Sequence, residues 1–478
     1  MERLRWREAS PAEFFERNRE MLGFDGPVKS LVMVVHELVT NAMDACHLHR
    51  IRPDVRVHVR RTGEDTYRVR VRDNGPGIPP ERVPSVFGKF LAGDKFDPVY
   101  GLQSMGQQGI GAAGVALYAY MTTGEPVRVL TSTDGRTAHY FEVHPDPSEN
   151  EPVVLRRERR PATERGTLVE VTVGEARYES GRRGPREYLR RLHAANPHAR
   201  LLLRDPRDRV HRWTPRVEEL PEPPRVLKPH PHSLDAHKLL RLAERTNRRT
   251  VRTLLTEELC RFSRERLNEL REKLPEDVDL EKDPRELTRR EAEAIVEALR
   301  RMRFMRPPSN VLSPIGEDAL KAAVRAEGCR LVAAVSRDPV TTRDNVLQVE
   351  VAVGLVEEGG GDLWRYANRA PLMFRSGGCS ITQGVEDVDY HRYDLDEERL
   401  LILANVNSPF VPFSGPSKQE IGSELVREEV KKAVQHACRR LGREVRRLRR
   451  ERRERERLRR IRRYRAIARR KAREILGR

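Results

Sequence analysis

Three short runs within the first 115 residues, rich in polar residues and glycine, constrain this chain more than any other feature of its sequence. The first run, 36–46, contains Glu37, Asn41 and Asp44, whose spacing places their side chains on one face of a helix. Hydrophobic residues recur beside that face, which predicts that the helix packs one side against a core. A carboxylate and an amide presented together can polarise a water molecule and ligate magnesium.

The second run follows a segment that alternates between apolar residues and arginine. The alternation from Tyr67 to Arg72 has a period of two, which predicts a strand that ends at Asp73. Gly75 and Gly77 then allow a sharp turn and a close approach of the backbone to a flat ligand. We therefore expect Asp73 to accept a hydrogen bond from an exocyclic amine.

The third run, 106–111, supplies three glycines before an apolar stretch, 115–118, that is typical of a helix. Free N–H groups at the start of such a helix bind phosphate. Each run by itself is weak, since polar helix faces, turns and glycine loops are all common. Their order and close spacing together predict an ATP site.

These runs, with Gly166 and Thr167 before an alternating strand, resemble the nucleotide-binding motifs of the GHKL ATPases, the Bergerat-fold family of gyrase, Hsp90, MutL and histidine kinases. Within that family the chain is most similar to the B subunits of archaeal DNA topoisomerase VI. The similarity extends over nearly the whole chain, in the segments 37–45, 106–111, 122–127, 195–199, 228–232, 312–317 and 365–372.

The resemblance implies a role for each candidate site residue, with ATP and Mg²⁺ as cofactors. Glu37 would be the general base that activates water, Asn41 the magnesium ligand, and Asp73 the carboxylate that recognises adenine. Lys418 would contact the γ-phosphate and act with Glu37 in catalysis. The other nucleotide-binding residues that the resemblance implies are Gly75, Gly77, Gly106, Gln107, Gln108, Gly109, Ile110, Gly111 and Thr167.

Composition and periodicity divide the chain into three parts. Prolines crowd between positions 215 and 231, which predicts a linker after an N-terminal domain of residues 1–228. Apolar residues at helical spacing then predict a small helical domain, 229–306, and alternating strands return over 307–478. The predicted fold class is α+β: a GHKL α/β sandwich, a helical insert, which by resemblance is a helix-two-turns-helix domain, and an α/β transducer domain with a long C-terminal helix.

The segment around Lys418 carries a helix-start signal. Ser417 and Glu420 fit a capping box, which would place Lys418 in the first helical turn. A cation there opposes the helix dipole, although an ordinary surface lysine is the alternative interpretation. By resemblance, this position matches the switch lysine of the transducer, which reaches across to the γ-phosphate.

Charge indicates a polyanionic partner. The formal net charge is +19, an excess that suits DNA phosphates, although it can also serve solubility alone. Arg182 and Arg183, on a glycine-flanked loop, are the predicted DNA contacts. In the family this place holds a Lys-Gly-Arg-Arg loop, whose lysine is replaced here by Ser180.

Two terminal segments also have counterparts in the family. The segment 439–478 predicts one long arginine-rich helix, which the resemblance identifies as a stalk leading to the cleavage subunit. The segment 10–16 resembles the strap that crosses to the other protomer when the dimer closes.

The resemblance therefore implies the ATP-binding and hydrolysing subunit of a type IIB DNA topoisomerase. ATP-driven closure of a homodimer would gate the passage of one duplex through a double-strand break made by a partner A subunit, relaxing supercoils and decatenating DNA. The implied partners are two A subunits, in a heterotetramer, and double-stranded DNA, with no membrane. A MutL-like DNA-repair ATPase and a non-catalytic basic DNA-binding scaffold are the alternatives.

The expected cellular compartment follows from two kinds of segment that the sequence lacks. It has no apolar stretch of transmembrane length and no signal peptide, which predicts a cytoplasmic, nucleoid-associated protein. Five scattered cysteines without a paired motif are expected to be reduced.

Overall fold

The computed structural model describes residues 24–89, 100–106, 111–146, 149–357, 360–374, 376–395, 399–415 and 418–477. The predicted strap, 10–16, lies outside the described residues. So do Ser417 and four candidates of the phosphate loop, Gln107, Gln108, Gly109 and Ile110.

The N-terminal part is built on a single eight-stranded sheet. Its strands are β1 (Asp54–Arg61), β2 (Tyr67–Arg72), β3 (Val127–Ser132), β4 (Thr137–Asp146), β5 (Glu151–Pro161), β6 (Gly166–Val173), β7 (Arg200–Arg204) and β8 (Val210–Trp213). Their order is β5-β4-β3-β6-β2-β1-β7-β8, antiparallel throughout except for the parallel pair β1 and β7. The predicted alternation is present in β2, where Val69 and Val71 are buried and Arg70 and Arg72 are exposed.

Helices cover the buried face of this sheet. They are α1 (Pro27–Leu48), α2 (Val83–Gly88), α3 (Gly111–Thr123) and α4 (Pro185–Ala195). The apolar residues of α1 and α3 join the inward valines of the strands in one hydrophobic core. The result is the α/β sandwich that the motifs predicted, with α1 and the start of α3 side by side at the edge where β2 ends.

A compact helical part follows. It contains α5 (Ala236–Arg245), α6 (Val251–Glu258), α7 (Arg264–Arg271) and α8 (Arg289–Arg301), with short 3-10 turns at Pro231–Ser233 and Pro284–Glu286. Capping boxes start α6 at Thr250 and α8 at Thr288. Leucines from all four helices form a separate core.

The C-terminal part is a second α/β unit. Its elements are α9 (Glu317–Ala326), β9 (Cys329–Ser336), β10 (Val340–Thr341), β11 (Val346–Val356), β12 (Asp362–Ala367), β13 (Ala370–Pro371), α10 (Ser380–Glu386), a 3-10 turn (His391–Tyr393), β14 (Leu400–Asn407) and α11 (Glu424–Leu476). The six strands form one sheet in the order β10-β11-β14-β12-β13, with β9 also paired to β11. β12 and β14 are parallel to each other.

The terminal helix α11 begins fifteen residues earlier than the predicted start at Arg439. Its first five turns are apolar on one side, so Val430, Val434 and Leu441 are buried against the transducer sheet. After Val445, which is still buried, the described side chains of the helix are almost all exposed. The long charged helix is therefore present, but its base is part of a folded core.

Among the residues that the structure describes, no helix combines the length and apolarity that a membrane crossing requires.

Candidate functional site

A cavity of about 510 Å³ lies where α1, the end of β2, the start of α3 and the loop around Lys418 meet. Most of the predicted site residues that the structure describes line it. They are Glu37, Asn41, Asp73, Gly77, Gly106, Gly111, Thr167 and Lys418. The cavity therefore joins residues that are up to 381 positions apart in the sequence.

Glu37 is a buried carboxylate at the inner end of this cavity. Its Oε1 lies 3.4 Å from the Nζ atom of Lys418, and both side chains are less than a tenth exposed. Gly111, the first residue of α3, packs directly onto the Glu37 carboxylate, so a Cβ at position 111 would collide with it. This contact explains why the helix start that faces Glu37 needs glycine.

His36, beside Glu37 in the chain, does not supply the positive charge near the carboxylate. Its Nδ1 is 2.9 Å from the Tyr188 hydroxyl, and its Nε2 is 3.9 Å from Glu37 Oε1. Burial lowers the pKa of His36 to about 4. The histidine is therefore neutral at pH 7, and the ion pair of Glu37 is made with Lys418.

Asp73 stands at the opposite end, where β2 ends as predicted. Its Oδ1 accepts hydrogen bonds from the backbone N–H groups of Gly75 (2.8 Å) and Thr167 (3.2 Å). Its Oδ2 has no donor among the described residues, although Asp73 lines the cavity. Burial raises the pKa of this carboxyl to about 6. One oxygen thus fixes the side chain, and the other is available as an acceptor.

Glycine is required at the two positions after Asp73, 75 and 77, for different steric reasons. A Cβ at Gly75 would lie 2.9 Å from Asp73 Oδ1, which would disturb the fixed carboxylate. Gly77 has a φ of +80°, and a Cβ there would collide with the carbonyl of Ser132. Gly77 lines the cavity, whereas Gly75 lies outside the lining and leaves room for the Asp73 carboxylate.

Asn41 and Asp44 share the helix face of Glu37 but do different things. Asn41 lines the cavity, and its Oδ1 would be 3.1 Å from a Cβ at Gly106. Asp44 is buried and accepts hydrogen bonds from the backbone N–H groups of Met105 (3.0 Å) and Gly106 (3.1 Å). Its carboxylate therefore holds the backbone that leads into the phosphate loop.

Lys418 enters the cavity from a loop, so the predicted placement in a first helical turn is wrong. Its φ is +53°, and the following helix starts only at Glu424. Tertiary contacts keep the intervening residues extended, since Ile421 forms a bridge with Phe413 and accepts a hydrogen bond from Ser380 N. The capping-box pattern is a local signal, and these long-range contacts override it.

Sequence reasoning missed Gln419, which connects the Lys418 loop to α1 of the N-terminal part. Its Oε1 accepts from Phe374 N at 3.1 Å, and its Nε2 lies 3.7 Å from the Met33 sulfur on α1. Sequence reasoning also missed the apolar wall of the cavity. The proline and aliphatic residues at the end of the second run were a weak signal for it. These lining residues are Pro76, Ile78, Pro79, Val86, Phe87, Leu102 and Val169.

Arg182 and Arg183 do not belong to this cavity. They are exposed on the loop before α4, and neither has an ion-pair partner among the described residues. Many other exposed arginines of the N-terminal part pair with a carboxylate, as Arg72 does with Glu164 and Arg204 with Asp208. The loop therefore offers charge that other protein groups do not neutralise.

The residues in the cavity suit a magnesium nucleotide. Mg²⁺ in such sites is held by one or two protein oxygens, by phosphate oxygens and by water. Asn41 Oδ1 supplies one oxygen beside the phosphate-loop backbone, so the donor set fits an ion that arrives with the phosphates.

Two family profiles match the chain. One, described as "Histidine kinase-, DNA gyrase B-, and HSP90-like ATPase", matches residues 26–174. The other, described as "Topoisomerase VI B subunit, transducer", matches residues 307–457.

Curated relatives that are named as the B subunit of type 2 DNA topoisomerase 6 are similar along most of the chain. The protein of Pyrococcus horikoshii is 37% identical over 90% of this chain and 85% of its own length. That of Thermococcus kodakarensis is 38% identical with the same coverage, and that of Methanothermobacter thermautotrophicus is 35% identical over 92% of this chain and 87% of its own. A solved 43K ATPase domain of Thermus thermophilus gyrase B, in complex with an aminocoumarin, aligns over 92% of this chain and 91% of its own at 14% identity, with a TM-score of 0.45.

Proposed function

The chain belongs to the family of type 2 DNA topoisomerase 6 B subunits, and on this premise we propose that it binds and hydrolyses ATP to drive duplex passage in a type IIB DNA topoisomerase. The transducer match separates it from a MutL-like repair ATPase, and the intact cavity separates it from a non-catalytic scaffold. A topoisomerase VI A subunit and double-stranded DNA are its partners.

The observation that carries this proposal is the 3.4 Å contact between Glu37 and Lys418 in a cavity that also presents Asp73. Glu37 is the general base that takes a proton from the attacking water. Lys418 comes from the transducer part and is able to sense the γ-phosphate. This lysine and the base Glu37 therefore lie together only when the two parts are correctly oriented. Hydrolysis and domain orientation are thereby linked.

The remaining roles are those that the family resemblance implies, and the cavity lining supports several of them. Asp73 accepts a hydrogen bond from the adenine amine, and Gly77 and Thr167 lie beside it. Gly106, Gly111 and the segment between them (Gln107, Gln108, Gly109 and Ile110) hold the triphosphate with backbone N–H groups. Asn41 is the magnesium ligand, and the ion neutralises phosphate charge. Gly75 acts indirectly, by leaving room for the fixed Asp73 carboxylate.

The assembly follows from the same premise. ATP binding closes a homodimer of this chain, the segment 10–16 crosses to the other protomer, and two A subunits complete a heterotetramer that works in the nucleoid. Arg182 and Arg183 contact DNA phosphates. We also propose functional domains at 1–228 (ATPase), 229–306 (helix-two-turns-helix) and 307–478 (transducer).

The test combines hydrolysis with association. The purified chain should hydrolyse ATP only with Mg²⁺, losing activity on chelation and regaining it when the metal is restored. Sedimentation should show a monomer that becomes a dimer with a non-hydrolysable ATP analogue but not with ADP. A chain that neither hydrolyses ATP nor changes its association state with the analogue would contradict the proposal.

A further inference from the structure

A buried polar seam joins the approach to the phosphate loop, residues 101–106, to the transducer. At its centre is Gln103, which is 5% exposed. Its Nε2 donates to the carbonyl of Ser313 (3.1 Å) and to Asn407 Oδ1 (3.0 Å), and its Oε1 accepts from Ser313 N at 2.7 Å. The side chain thus contacts two separate elements of the transducer part.

The contacts continue deeper into the transducer. Asn407, on β14, donates through Nδ2 to Glu350 on β11 at 2.7 Å. Glu350 is fully buried and also accepts from the backbone N–H groups of Ile315 (2.9 Å) and Gly316 (2.8 Å). A buried carboxylate satisfied by fixed donors is costly to disturb, so this end of the seam is rigid.

The turn between β12 and β13 makes a second connection. Asn368 donates through Nδ2 to the carbonyls of Ser104 and Ser408, both at 2.9 Å. Asn368 and Arg369 have φ values of +48° and +69°, a left-handed conformation that residues other than glycine adopt only at an energetic cost. Arg369 is buried and donates to the carbonyl of Pro314 at 2.8 Å. Tertiary contacts therefore hold this strained turn against residues 101–106.

The other side of the same segment faces the nucleotide cavity. Leu102 and Gly106 line it, and Asp44 holds the N–H groups of Met105 and Gly106 from α1. Gln103 is not among the cavity-lining residues. The six-residue segment 101–106 thus presents Leu102 and Gly106 to the cavity and Gln103 and Ser104 to the transducer.

We infer that Gln103 is a positioning residue that couples the nucleotide state of the phosphate loop to the orientation of the transducer, by a connection separate from that of Lys418. This inference rests on the proposed ATP hydrolysis. A nucleotide that displaces Leu102 or Gly106, which line the cavity, would also displace Gln103, so the Gln103 hydrogen bonds must move with the segment 101–106 or break. Because each partner of Gln103 is itself fixed, the displacement passes to β14 and β11.

The test replaces Gln103 with leucine, which has a similar size but cannot form the hydrogen bonds. Nucleotide affinity should stay within about twofold of the parent, because the side chain does not line the cavity. The kcat for ATP should fall about three- to tenfold, in the range of a lost coupling between contacting groups. A fluorescence-transfer pair on α3 and α11 should show a smaller change with a non-hydrolysable analogue.

Gln348→Leu is the matched control. Gln348 is 8% exposed and donates to Ser336 Oγ (3.2 Å) and the Arg337 carbonyl (2.9 Å), entirely within the transducer part. Its variant should lose comparable thermal stability but keep the parental kcat and fluorescence change. Equal effects of the two variants on kcat would reduce Gln103 to a structural residue and overturn the inference.

Asn368→Gly provides a second route if Gln103→Leu does not fold. Glycine tolerates the left-handed turn, and the substitution removes the Asn368 side-chain hydrogen bonds to Ser104 and Ser408, including the one that Oδ1 accepts from Ser408 N at 2.8 Å. It should also lower kcat without lowering nucleotide affinity.

Double variants test whether the seam acts as one unit. Combining Gln103→Leu with Asn407→Leu should lower kcat by less than the sum of the single effects, whereas combining Gln103→Leu with Lys418→Ala should be additive. If the parent hydrolyses ATP and all seam variants match it in kcat and domain movement, the inference fails while the proposed function stands. A parent without hydrolysis contradicts the proposed function itself.

Discussion

The ion pair between Glu37 and Lys418 places the proposed base beside the proposed γ-phosphate sensor. Lys418 Nζ lies 3.4 Å from Glu37 Oε1, and both side chains are buried. His36 cannot take the place of that cation, because burial holds its pKa near 4. In the proposed mechanism, Lys418 turns from Glu37 to the γ-phosphate when ATP binds, so this ion pair is exchanged for a contact with the substrate.

Replacing Glu37 with glutamine tests the base directly. The amide is nearly isosteric, so nucleotide binding should persist, while hydrolysis should fall by roughly two to four orders of magnitude, the range for a lost general base. Steady-state ATPase and calorimetric binding measure the two effects. Glu429→Gln is the control, since Glu429 is similarly buried but pairs with Arg337, outside the cavity. Parental hydrolysis by Glu37→Gln would refute the assignment.

Asp73 makes nucleotide affinity depend on pH. Its pKa in the unliganded protein is raised by burial to about 6, and a hydrogen bond from the adenine amine favours the ionised form. Affinity should therefore be constant above pH 7 and fall by up to about tenfold per pH unit below pH 6. The free energy of unfolding depends on pH with the opposite sign. Burial favours the protonated form of the Asp73 carboxyl, so this contribution to stability is lost as the pH rises through about 6. Calorimetry at pH 5.5, 6.5 and 7.5 measures the binding effect, which Asp73→Asn should abolish along with most of the affinity.

At the scale of elements, the loop before α11 makes one of the contacts between the two α/β parts. Gln419 fixes this loop to α1 and to Phe374, so Lys418 is held at the cavity with little freedom. Because α11 starts six residues after Lys418, a displacement of the lysine is transmitted to the helix through a short extended segment.

Lys418→Ala should separate the triphosphate and diphosphate states. A contact to the γ-phosphate is charge-assisted and exists only with triphosphate, so ADP affinity should change little while hydrolysis falls. The change in small-angle scattering on adding a non-hydrolysable analogue should also decrease. Lys432→Ala, at a half-exposed lysine of α11 that pairs with Glu429, should leave both properties at parental values. An unchanged scattering difference in Lys418→Ala would exclude a switch role.

The sequence supported those features that depend on local pattern. The strand ending at Asp73 and the face shared by Glu37 and Asn41 follow from periodicity and glycine placement, whereas the α/β sandwich was implied by the resemblance to the GHKL ATPases. The Lys418 loop could not be predicted, because the contacts of Ile421 with Phe413 and Ser380 outweigh a good capping signal. Nor could the seam, since Gln103 meets partners 210 and 304 positions away.

At the scale of the whole molecule, each of the three parts has its own hydrophobic core, and a further apolar cluster joins the first part to the last. Ala194 and Ala195 of α4 pack into the apolar cluster of α9 and the transducer sheet. Lys418 makes the reverse contact, from the transducer into the ATPase part. The Lys418 contact lies in the nucleotide cavity, so a change in the cavity acts directly on one of the contacts between the two parts.

Duplex cleavage belongs to the A subunit in the proposed function, so this chain alone should not relax supercoiled plasmid. Relaxation should appear when an A subunit is added. Truncation after Arg450 should abolish it but preserve analogue-induced dimerisation, because Val445 and the pair of Arg446 with Asp394 remain in the folded base. Plasmid relaxation by the chain alone, in preparations free of other topoisomerases, would overturn this division of labour.

The single helix α11 is fixed at its base and projects from the rest of the molecule. The base, up to Val445, packs in the transducer core, and the part beyond Arg450 extends about 40 Å at 1.5 Å per residue. Pairs such as Arg452 with Glu456 (3.0 Å) stiffen this projecting part along its surface. A tilt of about 10° at the base would sweep the far end through about 7 Å over that length. A small displacement of Lys418 at the cavity can in this way become a displacement of several ångströms at the far end of α11, where a partner protein can bind.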